Sequence, residues 1–127
     1  MEIGLRNKQD LVVDKSHSAA HMGSGTLEVF ATPSMIALME NTCMHCVAPY
    51  LEAGASTVGT LINVKHLSAT PVGDTVTCSC ELLEIDRKRL VFSVQASDSV
   101  GLIGEGIHER FVVNIDRFMQ KTLEKLK

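Results

Sequence analysis

Glu40 and His66 are the two groups in this sequence best placed for acid/base chemistry. Set out at about 100° per residue on a helix, Pro33, Ile36, Ala37, Cys43, Met44 and Val47 fall within about 60° of Glu40, which puts a carboxylate in the middle of an apolar face. His66 ends a run with the alternation of a strand, sharing one face with Val58, Thr60, Ile62 and Val64 against Gly59, Leu61, Asn63 and Lys65 on the other. If helix and strand pack together, carboxylate and imidazole meet inside the protein or at a cleft, the arrangement of an acid/base site. Periodicity alone equally allows a satisfied buried pair, or a Glu40 bonded to a strand backbone.

These groups need a helix and a sheet to hold them. Thr32 is suited to cap a helix and Pro33 to open it, so the helix is predicted from Pro33 to about Val47, ahead of Pro49. Its other sides carry Met35, Leu38, Met39 and Cys46, with only Ser34, Asn41 and His45 as a narrow polar stripe, so it should be covered almost all round. Downstream the period drops to two and β-branched residues take over, predicting strands over Val58–Thr70, Asp74–Ile85, Leu90–Ser97 and Leu102–Val113. The turns between them are short and favour an antiparallel meander over parallel crossovers. The fold class is therefore α+β, an antiparallel sheet wrapped around a long central helix. Upstream, Leu11–Val13 is a short apolar piece and His17–Gly25 reads as a loop, while Ile115–Leu126 reads as a terminal helix with Ile115, Phe118, Met119, Leu123 and Leu126 on one side.

A chain of 127 residues, 45% hydrophobic and 21% charged, is expected to form a single domain over 1–127 with a real core. Its net charge of −3 gives no electrostatic reason to bind nucleic acid or an anionic membrane. The N-terminal residues do not read as a secretion signal and no run is long enough to span a bilayer, so a cytoplasmic setting with reduced cysteines is expected. Cys43 and Cys46, with Cys78 and Cys80, have partly ligand-like spacing, but they alternate with apolar residues on a helix and a strand. They read as small core hydrophobes, and no metal is expected.

Several motifs in register resemble the hot-dog-fold thioesterases, and most of all the fluoroacetyl-CoA thioesterase branch. They are Val29-Phe30-Ala31-Thr32, the Thr32-to-Glu40 spacing, Ala48-Pro49-Tyr50-Leu51-Glu52, Thr57-Val58-Gly59-Thr60, His66 with Ala69-Thr70-Pro71, and His108-Glu109-Arg110, spread over about residues 10–120. The resemblance implies the hot-dog fold, hydrolysis of a short acyl-CoA thioester to a carboxylate and free CoA, and Thr32, Glu40 and His66 as catalytic residues. It implies no cofactor beyond the CoA of the substrate, a homodimer with sites at the subunit interface, and Gly59 as the glycine that lets the backbone approach the substrate. Glu40 would activate water or attack the carbonyl itself, and His66 would orient Glu40 and shuttle a proton. Arg110 is a contact for substrate or a partner subunit, or half of a structural ion pair. Where fluoroacetate-selective members carry phenylalanines in a lid, this sequence has His21-Met22-Gly23-Ser24-Gly25-Thr26, which implies a different or broader range of acyl groups. The alternative is a non-hydrolytic acyl-CoA-binding or dehydratase-like hot-dog protein.

Overall fold

The computed structural model describes residues 1–127. In chain order the elements are β1 (Arg6–Val12), α1 (Ala19–Met22), α2 (Thr32–Val47), β2 (Ala55–His66), β3 (Thr75–Asp86), β4 (Arg89–Ser97), β5 (Leu102–Asn114) and α3 (Ile115–Leu123). The strands form one antiparallel sheet in the order β1-β3-β4-β5-β2. Helix α2 lies against its inner face. Met35, Met39, Cys43, Cys46 and Val47 from the helix share one core with Val76, Cys78, Leu82, Phe92, Val94 and Ile103 from the sheet. The wrapped α+β architecture is thus the one expected, and it leaves the twelve-residue β2 as a sheet edge.

Helix α2 starts one residue earlier than predicted, and the difference matters. Ala31 occupies the cap position and makes no side-chain capping bond; Thr32 and Pro33 are the first two helical residues. Proline is tolerated there because first-turn N–H groups have no intrahelical acceptor. The Thr32 hydroxyl is therefore not spent on capping.

The buried side of α2 also differs from the expected one. Ser34, Met35, Met39, Thr42, Cys43, Cys46 and Val47 are buried, whereas Pro33, Ala37, Asn41 and Ala48 are exposed and the Glu40 side chain is 41% exposed. The sheet covers one side of the helix and not all of it. Glu40 and its small apolar neighbours lie on the side left open.

Strand β1 was not predicted beyond its apolar end. As an edge strand its Arg6, Lys8 and Asp10 face solvent, and only Asn7, Gln9 and Leu11 turn half-buried toward the helix, so the apolar alternation is weak. Strand β2 runs from Ala55 to His66 rather than Val58–Thr70, and the register slips between Gly59 and Leu61. Thr60 is the extra residue of a bulge, and a bulge reverses which face later residues point to. Gly59 and His66, on opposite faces by simple alternation, therefore look the same way.

The expected loop at 17–25 holds helix α1. Ser18 accepts the His21 N–H at its start and Gly23, at φ 72, closes its end. Helix α3 has no buried residue, and Ile115, Phe118, Met119 and Leu123 are all more than a third exposed.

Candidate active site

Two polar clusters lie along the open side of α2. The first sits at its N-terminal end, where Phe30 N–H donates to the Thr70 carbonyl at 2.8 Å and Val29 bridges to Pro71, tying the helix start to the segment that follows β2. This brings the Thr32 hydroxyl 2.8 Å from Nδ1 of His66, the last residue of β2. Opposite His66 on β5 is Gly104, where a Cβ would stand 2.8 Å from Met35 Cε. The missing side chain lets the first turn of α2 settle close under the strand that carries His66.

His66 is half-buried, its Nε2 is buried without a hydrogen-bond partner, and burial holds its pKa below the ordinary imidazole value, partly offset by the nearby Ser68 backbone. The imidazole is thus neutral near pH 7, able to accept or pass a proton. A cleft of about 300 Å³ opens here, lined by Ala19, Phe30, Thr32, His66 and Leu67 among others.

The second cluster lies eight positions along α2, roughly 12 Å of helical rise from Thr32. There Glu40, with Ala37, Asn41, Met44 and Arg110, lines a cleft of about 260 Å³. A Cβ on Gly59 would come within 2.9 Å of Glu40 Oε2, so the glycine is what lets the carboxylate lie against β2. Arg110 Nη1 is 3.9 Å from Glu40 Oε2. Of the expected site residues, the chain brings Thr32 to His66 and Glu40 to Gly59 and Arg110. It does not bring Glu40 to His66, so the imidazole orients the threonine and not the carboxylate of its own chain.

Arg110 borders the Glu40 cleft but is held from behind by its own strand and β2. It is buried, its Nε–H donates to Thr57 Oγ1 at 2.8 Å, its Nη2–H donates to the Thr57 carbonyl at 2.9 Å, and its Nη1 is 3.2 Å from His108 Nε2. Burial lowers its pKa from the usual guanidinium value, opposed by the Glu40 charge. Sequence reasoning did not single out Thr57 or His108 as part of this site. The available signal was the polar pair at i and i+2 on β5, beside Gly59 in the ladder.

The four cysteines are buried free thiols between α2 and β3. Burial raises Cys78 to about 11 and Cys46 to about 12, so both remain protonated at neutral pH and pack as small apolar groups. No helix is long and apolar enough to cross a membrane. A larger depression of about 670 Å³, lined by Arg6, Lys8, Ser79, Glu81 and Gln95 among others, lies on strands β1, β3 and β4 away from both clusters.

Residues 13–116 match a family described as fluoroacetyl-CoA-specific thioesterase. The fluoroacetyl-CoA thioesterase of Streptantibioticus cattleyicolor is 40% identical over 131 residues, covering 98% of this chain and 94% of that protein. A crystal structure of a mutant fluoroacetyl-CoA-specific thioesterase in complex with fluoroacetate and CoA superimposes with a TM-score of 0.89 at 41% identity, covering 93% of this chain and 99% of that one. A hot-dog-like protein from Thermanaerovibrio acidaminovorans, only 23% identical, superimposes with a TM-score of 0.91 over 100% of this chain and 94% of that one, which shows the hot-dog fold.

Proposed function

The chain belongs to the fluoroacetyl-CoA-specific thioesterase family and hydrolyses acyl-CoA thioesters, and we propose that it does so as a homodimer whose two sites each combine Thr32 and His66 of one subunit with Glu40 of the other. The observation that carries this reading is the separation of the two clusters. A thioester carbonyl is too small to touch both across roughly 12 Å of helix. A two-fold axis beside α2 would carry the Glu40 cleft of one copy toward the Thr32–His66 cleft of the other, twice. Two features favour such pairing: the open side of α2 shows Pro33, Ala37 and Met44 beside Glu40, and β2 is a long edge with free backbone groups.

In this site the Glu40 carboxylate takes a proton from water as the water oxygen bonds to the thioester carbon, or attacks that carbon directly to give a mixed anhydride that water then opens. Either way the C–S bond breaks and the CoA thiolate leaves, taking up a proton. The Thr32 hydroxyl, held by His66, orients the nucleophile or the carbonyl, with the neutral imidazole taking and returning a proton. Gly59 keeps the backbone of β2 open to the acyl group. The whole chain, 1–127, acts as one domain, with no cofactor beyond the CoA that the substrate carries. Four free buried thiols favour the cytoplasm as its compartment.

The acyl group is short and not restricted to fluoroacetyl. The segment over the Thr32–His66 cleft is α1 and the exposed turn that follows it to Thr26, without a phenylalanine to close on the substrate. The test is thiol release from a panel of acyl-CoA esters of graded length and polarity. Turnover on several short esters is expected. No turnover above buffer on any ester, or equal turnover by Glu40→Ala, overturns the reading.

A further inference from the structure

Between the two clefts lies a buried imidazole that the reaction above does not use. His108, on the inner face of β5, is fully buried. Its Nδ1 is 2.7 Å from the carbonyl oxygen of Leu61, the residue that resumes the β2 ladder after the bulge at Thr60. A carbonyl oxygen only accepts, so Nδ1 carries the proton and donates. In the neutral ring Nε2 then holds a lone pair, and it faces Arg110 Nη1 at 3.2 Å, a group that only donates. The two contacts demand the same tautomer. Protonating Nε2 would remove the acceptor and set two cations against each other.

The consequences run outward from this ring in two directions. Through Leu61 it ties down the bulge that turns Gly59 and His66 to the same face. Through Arg110 it completes a set of bonds, with Thr57 Oγ1 and the Thr57 carbonyl, that takes three of the five guanidinium N–H groups and leaves one on Nη1 and one on Nη2. The carboxylate paired with Nη1 is that of Glu40, whose Oε2 lies 3.9 Å away. Burial, the largest influence, and the facing Arg110 charge hold the pKa of His108 below the ordinary imidazole value, opposed by the Leu61 carbonyl and by the charges of Glu40 and of Glu109 on the other face of β5.

We propose that His108 is a positioning residue for thioester hydrolysis, fixed as the Nδ1–H tautomer, which holds the β2 bulge by one nitrogen and Arg110 by the other and so sets where the Glu40 carboxylate lies. This rests on the thioesterase reading for its kinetic consequence but not for its geometry. His108→Gln keeps one donor and one acceptor on a single amide; His108→Leu keeps neither. His108→Leu should lose on the order of 100-fold in kcat with little change in KM, the scale of a reacting group displaced by about 1 Å, while His108→Gln recovers most of that loss.

Two measurements need no turnover. Histidine side-chain 15N NMR of the unaltered protein should show His108 neutral at pH 7, protonated at Nδ1 and bare at Nε2, and a 13C-labelled Glu40 carboxyl should shift in His108→Leu but not in His108→Gln. An imidazolium at pH 7, an Nε2–H tautomer, an unmoved Glu40 resonance, or a folded His108→Leu enzyme with unaltered kcat each overturns the proposal. If no acyl-CoA is hydrolysed by the unaltered protein the thioesterase reading fails, and the two NMR measurements still decide this one. If His108→Leu does not fold, the tautomer in the unaltered protein decides it.

Discussion

Thr32 Oγ1 lies 2.8 Å from His66 Nδ1 because the residue before it, Ala31, takes the helix cap and leaves the threonine hydroxyl free to face the end of β2. A capping threonine replaced by alanine costs about 1 kcal/mol in stability. Here no cap is lost and only the bond to His66 goes, so Thr32→Ala should cost about 0.5–1.5 kcal/mol while kcat falls on the order of 100-fold, and Thr32→Ser should keep most of the rate. Thermal melts beside steady-state kinetics check this. A melt lowered by a full cap's worth with kcat intact would return Thr32 to a structural role.

Gly59 and Gly106 face each other's strands but should respond to alanine in opposite ways. At Gly59 the new methyl meets the far end of Glu40, 2.9 Å away, which can swing aside, and His108 Cε1 at 3.3 Å, which need give by only a few tenths of an ångström. Gly59→Ala should therefore fold almost as well as the parent and lose on the order of 100-fold in kcat through a displaced Glu40. At Gly106 the methyl meets backbone, the Asn63 carbonyl and the Val64 Cα, which cannot move without opening the β2–β5 ladder. That costs about 1–3 kcal/mol or more. Urea unfolding and kinetics on both variants separate the two; equal destabilisation would show that Gly59 is only a packing glycine.

What could be read from the chain was whatever repeats with the period of a buried surface. Apolar spacing behind Pro33 gave α2 nearly to the residue, and the β-branched alternation of β3, β4 and β5 gave three strands with their turns. Strand β1 escaped because Arg6, Lys8 and Asp10 face water on a sheet edge and leave little apolar rhythm to detect. The bulge at Thr60 escaped because a count by twos cannot register an inserted residue, so Gly59 was assigned the wrong face. Glu40 illustrates a different limit: periodicity shows that a face is apolar but not whether its own sheet or another molecule covers it. The family resemblance named Thr32, Glu40 and His66 together, and the coordinates alone showed that one chain splits them into two clefts.

Mild acid should weaken the fold through its buried imidazoles. Burial lowers the pKa of both His66 and His108, so between their folded values and the ordinary value near 6.5 the unfolded chain binds more protons than the folded one. Stability therefore rises with pH across that window and is lost as pH falls through it. The carboxylates with lowered values, Asp14, Asp74, Asp98 and Glu109, act in the same direction but only at more acid pH. The urea midpoint should drop from about pH 7.5 to about pH 5.5, and His108→Gln should flatten the drop. A midpoint that holds steady or rises on acidification contradicts the burial of both rings.

The subunit assignment has its own test, in mixtures of two inactive proteins. Glu40→Ala lacks the carboxylate and His66→Ala lacks the imidazole, and each alone should lose most activity whichever chains build the site. When they are co-refolded in equal amounts, half of the dimers are mixed. If Glu40 serves the Thr32–His66 cleft of the other subunit, a mixed dimer has one site with every residue intact and one with both replaced. About a quarter of the sites in the mixture are then whole, and about a quarter of the parent activity should return. If instead both residues serve within one chain, every site in a mixed dimer carries one defect and mixing restores nothing. A single particle of monomer mass at micromolar concentration, with full activity, would exclude the shared site altogether.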